Sequence, residues 1–508
     1  MASPSLPGLP ELLHWAAWLC ALYLLYRVSS FYLTYKELQR AFSAFPGPKR
    51  HWLYGNALEF KQEEKHLDKI VGYANEYDYA FPMWLGKFTP TLFVTHPDYA
   101  KAILSRQDPK DNIAYRFITP WIGKGLLTLS GQKWLHHRKL LTPGFHYDVL
   151  KPYIRVMSES VNVMLDKWEK MLPEKKPVEL FHDVSLMTLD TIMKCAFSYQ
   201  SDCQMDGEND YIKAVYDVSY LVNYRAHRVP YHYDFIFHWS PIGFRFRKAL
   251  RIAHEHTEKV IKMRQESLRQ ESELEKVKQK RHLDFLDILL CAKDENGRGL
   301  SDEDLRAEVD TFMFAGHDTT ACGTSWILYC LAKYPEHQAK CREEVKEVLG
   351  DRRIVEWEDL GKLPYTTMCI KESMRLYPPV PGMARELKEP ITFCDGRSLP
   401  KGATTMISIY CINRCPSVWD DPEVFDPMRF SPDNPKRHPH AFLPFSAGSR
   451  NCIGQNFAMN ELKVGVALTL RRFSLSPVPG KEPLKVTQIV LRSLNGIYVN
   501  MEKIQEES

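Results

Sequence analysis

The chain has no C-x-x-C pair and no His/Cys cluster at zinc spacing. Its 12 cysteines are scattered from Cys20 to Cys452, which excludes a disulfide framework and fits free thiols in a reducing compartment. Charge of one sign is also scarce. The 67 Lys and Arg against 63 Asp and Glu leave a formal net charge of +4 on 508 residues, too little to argue for nucleic-acid binding. No internal repeat or low-complexity linker divides the chain. No G-x-G-x-x-G follows a strand-like run, so no internal nucleotide or flavin site is indicated. One large domain behind a short apolar segment is the simplest organisation.

That segment runs from Leu12 to Val28, interrupted only by His14 and Arg27. As a helix the run is about 25 Å long at about 1.5 Å per residue, close to the thin bilayer of the endoplasmic reticulum, about 27 Å. Arg27, Lys36, Arg40, Lys49 and Arg50 follow it while only Glu11 lies before it, which by the positive-inside rule leaves the rest of the chain in the cytosol. A cleaved signal peptide carries its basic flank on the other side, and a buried core helix is the remaining alternative. The expected organisation is a short lumenal N-terminus (1–11), a transmembrane anchor (12–33), a basic, proline-containing hinge (34–50) stiffened at Phe45-Pro-Gly-Pro48, and a catalytic domain (51–508).

Within that domain most of the sequence follows helical spacing, as over Val161–Met171, Tyr211–Tyr224 and Leu305–Leu331. Strand-like runs are few and short, Thr91–Thr95 and Thr404–Ile409 being the clearest. The pattern predicts a mainly α fold with small β-sheets. The charged run Arg264–His282 reads as a solvated helix or linker.

Four constellations carry chemistry. Phe445-Ser-Ala-Gly-Ser-Arg450-Asn-Cys452-Ile-Gly454 sets a cysteine among small residues beside a cation, an arrangement that suits a thiolate bound to iron, with Gly448 and Gly454 letting the backbone approach a flat ligand. A buried free cysteine is the ordinary alternative. Ser301 with Asp304 predicts a cap opening a long helix. Inside it, Ala315-Gly-His-Asp-Thr-Thr320 places poor helix formers mid-helix. Either the Thr hydroxyls simply bond back one turn, or the hydroxyl of Thr319 and the carboxylate of Asp318 relay protons, with Asp318 feeding them from the solvent side. Glu372 and Arg375, three apart, share one helix face before Pro378-Pro379. Trp134-Leu-His-His-Arg138 sets an arginine fork one turn from an indole.

F-x-x-G-x-R-x-C-x-G is the pattern of the cytochromes P450, and the chain resembles that family from anchor to carboxyl end. The resemblance implies Cys452 as axial haem ligand, its thiolate favouring O–O cleavage. It implies haem contacts from Trp134, Arg138, Arg385, Phe445 and Arg450. Phe425-Asp-Pro-Met-Arg429-Phe430 is similar to the segment whose arginine joins Glu372 and Arg375 in a buried structural network. Trp121-Ile-Gly-Lys-Gly-Leu-Leu127, His137–His146, Asp284–Leu289 and Gly316–Thr320 look like the vertebrate family-4 members, which hydroxylate fatty acids and related alkyl chains.

Two positions depart. Where many relatives carry a Glu esterified to a haem methyl, this chain has Ala315, so haem b held noncovalently is implied and strict terminal selectivity comes into question. Ile412-Asn413-Arg-Cys415 lacks an imidazole usual in relatives near the haem edge. The implied activity is a microsomal monooxygenase acting at or near the terminal carbon of fatty acids, alkanes or xenobiotics. It would use O2 and NADPH through NADPH–cytochrome P450 reductase, with cytochrome b5 as a second donor and His136, His137, Arg138 and Lys139 as a basic docking face. Phe117, Phe314, Ala315, Val380 and Leu494 are the analogous pocket walls. A haem-thiolate enzyme that rearranges peroxides, or a noncatalytic haem carrier, are the alternatives; the intact Asp318-Thr319 pair favours the monooxygenase.

Overall fold

The apolar N-terminal run becomes part of one 35-residue helix, α1 (Leu9–Ser43), about 50 Å long at about 1.5 Å per residue. The computed structural model describes residues 9–59, 65–111, 115–205, 210–270, 283–291, 299–504. From Leu12 onward α1 is long and apolar enough to cross a membrane by length and composition, and its side chains stay exposed through Leu33. The helix does not break there. Residues 34–43 of the expected hinge are helical because the apolar pattern changes rather than ends: Leu38 and Phe42 point one way and pack onto the first sheet, with the Phe42 ring 6.1 Å from that of Trp84. The proline-containing remainder is packed too. Phe45 lies edge-on to Tyr99 and Phe393, and a Cβ on Gly47 would come within 2.6 Å of Pro82.

That sheet holds β1 (Ala80–Leu85), β2 (Thr89–Val94), β3 (Gly382–Glu386) and β4 (Thr404–Ser408) in the order β1-β2-β4-β3. The β2–β4 pairing is parallel, with Thr91 opposite Thr404, and the other pairings are antiparallel. Pro82, which cannot donate to a ladder, is tolerated because β1 is an edge strand. A short antiparallel hairpin, β5 (Lys485–Thr487) and β6 (Leu491–Ser493), closes back onto the helices near the carboxyl end.

The helices that position the site are α2 (Tyr115–Ile122), α3 (Gly131–Leu141), α4 (Leu180–Ala196), α5 (Asp210–Ala226), α6 (Asp234–His238), α7 (Pro241–Leu268), α8 (Asp302–Lys333), α9 (Pro364–Leu376) and α10 (Gln455–Arg472). α8 is their axis. It begins where the Ser301 hydroxyl accepts from the Asp304 N–H at 3.1 Å, while the Asp304 carboxylate turns to Lys133 at 2.6 Å. Asp302, Glu303 and Asp304 in the first turn and Lys333 in the last complement the helix dipole. Its middle is buried against α4 and α10. The charged run is less solvated at its start than its composition suggests: Arg264 of α7 is buried and makes two 2.8 Å hydrogen bonds to Asp287. Residues 271–282 of that run lie outside the described residues.

Phe42 is 1% exposed whereas Phe31, on the same helix, is 55% exposed. Phe42→Ala is therefore expected to cost about 3–5 kcal/mol, read as a fall in the unfolding midpoint of the detergent-solubilised protein. Phe31→Ala should leave that midpoint unchanged; equal effects would mean that the helix end is not docked.

Candidate active site

The cysteine loop is held by its own backbone and by α3. The Cys452 N–H donates to Phe445 O at 2.9 Å and the Asn451 N–H to Gly448 O at 3.2 Å. Gly448 has φ +73, and a Cβ there would lie 2.0 Å from Leu104 O, so only glycine fits. Gly454 is different: a Cβ would meet only the Phe145 ring, at 3.7 Å, so no protein contact demands its glycine. Arg138 donates to Asn451 O at 2.9 Å and Asn451 Oδ1 at 2.8 Å, bracing the residue before the cysteine. Of the basic stretch around it, His136 and Lys139 are exposed, but His137 is buried with Nδ1 2.7 Å from Glu308 Oε1 and does not belong to a docking face.

Cys452 lies inside the domain yet keeps an accessible side chain. Burial pushes its thiol pKa up, while the Gly454 N–H, Arg138 and Lys110 pull it down. Around it stand cations without a hydrogen-bonded carboxylate among the described residues. Arg385 is buried and donates to Ala384 O at 3.0 Å. Arg450 lies 4.5 Å over the Trp134 ring, donates through Nη2 to Leu129 O, and leaves Nη1 buried without a partner. Burial, then Arg385, lower the Arg450 pKa to about 10. Lys110 is held well below the ordinary lysine range by burial, then by Arg385 and Arg450. An accessible thiol beside clustered cations and an orphaned guanidinium N–H fits the iron and the acidic edge of a haem. Lys110 carries no motif in the sequence; only the fold brings it here.

On α8 one face is left open. Of residues 307–332, only Ala315, Gly316 and Thr319 are not buried, and their i, i+1, i+4 spacing puts them side by side. Both threonines bond back one turn, Thr319 to Ala315 O at 2.8 Å and Thr320 to Gly316 O at 2.7 Å. Gly316 also has a packing reason, since a Cβ would come within 2.7 Å of Ile192 on α4. Asp318 is fully buried, and its Oδ1 accepts from Arg492 of β6 at 2.6 Å. The Arg492 guanidinium lies over Phe181 and Tyr216 at the floor of a cavity of about 370 Å³.

The wall residues divide. Phe314 packs on Trp121 at 4.5 Å, Phe117 lies one turn before Trp121 on α2, and Val380 is half-buried beside Pro379, whose carbonyl accepts from Leu491 at 2.9 Å. Leu494 is not brought to this group. It is 53% exposed three residues beyond Leu491, about 10 Å along the strand, where its N–H binds Leu484 O.

Beneath the loop, Glu372 and Arg375 are fully buried and joined by two 2.7 Å hydrogen bonds; Arg429 Nε stands 3.4 Å from Glu372 Oε1. Asn413 belongs to this network: its carbonyl accepts from Arg375 at 2.9 Å and its amide donates to Arg375 O at 2.9 Å. Glu461 on α10 is another buried group that sequence reasoning missed. Neither of its oxygens has a hydrogen-bond partner, and burial raises its pKa to about 8 against the partial help of Thr320 and Thr191.

A family model described as Cytochrome P450 matches residues 45–500. Cytochrome P450 4B1 of Rattus norvegicus is 53% identical over 99% of this chain and 98% of its own length. Cytochrome P450 4A24 of Sus scrofa is 52% identical over 99% and 100%, and cytochrome P450 4B1 of Homo sapiens 54% identical over 92% of each.

Two stability predictions come from the buried charges. Glu372→Ala strands two guanidinium groups and is expected to cost about 3–5 kcal/mol by denaturant titration. Glu461 binds its proton more tightly folded than unfolded, so its contribution is full below pH 4.5 and is lost as pH rises through about 8. Glu461→Gln should therefore stabilise the protein at pH 8.5 relative to wild type, by up to roughly 1.4 kcal/mol per unit of the shift, and leave it little changed at pH 4.5; equal effects at both would contradict this sign.

Proposed function

The chain belongs to the cytochrome P450 family, with family-4 relatives 52–54% identical to it, and from that premise we propose a haem-thiolate monooxygenase that hydroxylates fatty acids, alkanes or related alkyl and xenobiotic chains at or near the terminal carbon. The observation that carries the reading is Cys452, accessible within the domain beside Arg138 and Lys110. When bound, haem b supplies oxygen activation through thiolate-ligated iron. Cys452 would ligate its iron and Arg385 and Arg450 would pair with its acidic groups, Arg450 being supported by Trp134; Arg138 and Phe445 hold the loop, and Glu372, Arg375 and Arg429 hold the segment before it. Ala315 offers no carboxylate for an ester, so these contacts are noncovalent.

Ala315, Gly316 and Thr319 front the reacting centre, and Phe117, Phe314 and Val380 exclude water from it. The Thr319 hydroxyl turns from Ala315 O to hold a proton there, and Asp318 supplies protons to that turn of helix. Electrons come from NADPH through NADPH–cytochrome P450 reductase, cytochrome b5 being a second donor, and the exposed His136 and Lys139 beside Arg138 form a basic face for such acidic partners. The apolar part of α1 anchors the protein in the endoplasmic reticulum membrane, with residues 1–11 lumenal and the basic residues after the span keeping the domain from residue 51 cytosolic.

With purified protein, reductase and NADPH, graded alkanes and fatty acids are expected to yield alcohols at the terminal and adjacent carbons by mass spectrometry. Absence of any alkyl product, despite a thiolate-type spectrum of the reduced CO complex, would overturn the substrate class. Thr319→Ala should lower product formed per NADPH by roughly 10²-fold while NADPH is still consumed. Acid extraction should release all of the haem.

A further inference from the structure

The segment between α5 and α7 is fastened to the pocket wall by two arginines that share one carboxylate. Arg225, near the end of α5, is buried between two rings, 4.7 Å over Phe117 and 4.0 Å over Phe237. Its Nε donates to Tyr231 O at 2.9 Å and its Nη2 to Asp234 Oδ1. Nη1 takes no acceptor from the described residues and is not sealed from solvent-sized contact. Arg116 of α2 lies over the same Phe117 ring at 5.0 Å, donates to His232 O, and stands 3.9 Å from the same Asp234 oxygen. His232 adds no third positive charge, because burial and the two arginines lower its pKa.

Two permanent cations thus face one anion. That anion, Asp234, is 84% exposed, so it gives up little on turning to water. Arg225, by contrast, is desolvated, and its pKa is lowered chiefly by burial; a buried guanidinium is stabilised by a second carboxylate far more than an exposed one is. Phe117 and Trp121 are one turn apart on α2, about 6 Å, and Trp121 packs on Phe314, the neighbour of Ala315. A row of packed rings, each at most 2% exposed, therefore connects Arg225 with the turn of α8 that carries Ala315, and an alkyl chain taking this route parts them. On the outer side, Tyr233, Phe235, Ile236 and Trp239 are exposed around Asp234, a surface from which a lipid-like molecule can enter.

Resting on the reading of the protein as an alkyl-chain hydroxylase, we propose that Arg225 is the headgroup anchor for a fatty-acid carboxylate. The carboxylate displaces or joins Asp234 on the guanidinium, and the alkyl chain runs along Phe117 and Trp121 toward Ala315 and Thr319. The selectivity is electrostatic, so an alkane of equal length gains nothing from it.

The test is spectral titration of the holoenzyme with dodecanoic acid and with n-dodecane, in wild type, Arg225→Met and Asp234→Asn. Arg225→Met keeps an apolar chain between the two rings and should weaken dodecanoate binding about ten- to hundred-fold with dodecane unchanged. Asp234→Asn alters an exposed side chain, retains the fold, and should tighten dodecanoate several-fold, again without affecting dodecane. Parallel changes for both ligands, or no change for dodecanoate in either variant, would overturn the anchor and reduce the arginine to a structural latch. Failure of both ligands to shift the wild-type spectrum would instead fell the alkyl-hydroxylase reading and the anchor with it.

Discussion

The chain before the cysteine loop is organised by a charge pair that water never reaches. Glu372 and Arg375 give up hydration entirely, and the pair holds only because each remaining polar atom has a partner: Arg375 also donates to the carbonyls of Asn413, Pro422 and Val424, and Glu372 also accepts from the Asp426 N–H. Such a cluster is not an efficient source of stability, since well-packed apolar residues often do as well. What it provides is direction. Two irregular stretches of chain, at Asn413 and at Pro422–Val424, converge on one guanidinium, and irregular backbone cannot be buried unless its carbonyls find donors. Arg429 stands beside Glu372 and the neighbouring Phe430 packs on Phe442, so the chain leading into the cysteine loop is tied to that cluster.

The same tension runs through α8. Gly316 is small because Ile192 crowds it from one side, and it is accessible from the other. Packing and chemistry therefore ask for the same residue, and the helix does not have to choose between them. Asp318 shows the opposite case. Its ion pair with Arg492 fixes the carboxylate away from the open face, and the cavity on the far side of Arg492 reaches it only past that guanidinium. Because arginine keeps its proton, a proton moving from that cavity to Asp318 requires the side chain to swing aside.

Much of the architecture was legible where partners are close in the sequence. The Ser301 cap, the Glu372–Arg375 pair at i, i+3, and the strands at Thr91 and Thr404 follow from local spacing. What sequence could not give was the burial of charges whose partners are remote. His137 finds Glu308, Asp318 finds Arg492 and Arg225 finds Asp234 across turns and helices, and nothing in the composition of either partner distinguishes them from surface charges. Arg264 was read as solvated for that reason. The contacts of Asn413 were hidden for a related one: its amide bonds the carbonyls of Met374 and Arg375, which carry no sequence signal. The helix runs past residue 33 because composition marks where a membrane-like run ends, whereas a helix continues as long as its backbone is satisfied and one side can pack.

The buried polar groups of α8 are held mostly from outside the helix. Glu308 is taken by His137 of α3 and by the Leu126 N–H. Asp310, its pKa raised to about 7 by burial, accepts from Thr257 of α7. His317 binds Met313 O within the helix, and Asp318 is taken by β6. Glu308, Asp310 and Asp318 are thus each matched to a different element, and a mismatch of register by one residue would leave a buried charge without a partner. That demand fixes the rotation of the helix about its own axis. Once the rotation is fixed, Ala315, Gly316 and Thr319 stay incompletely buried side by side, with Ile192 close to Gly316 on one flank.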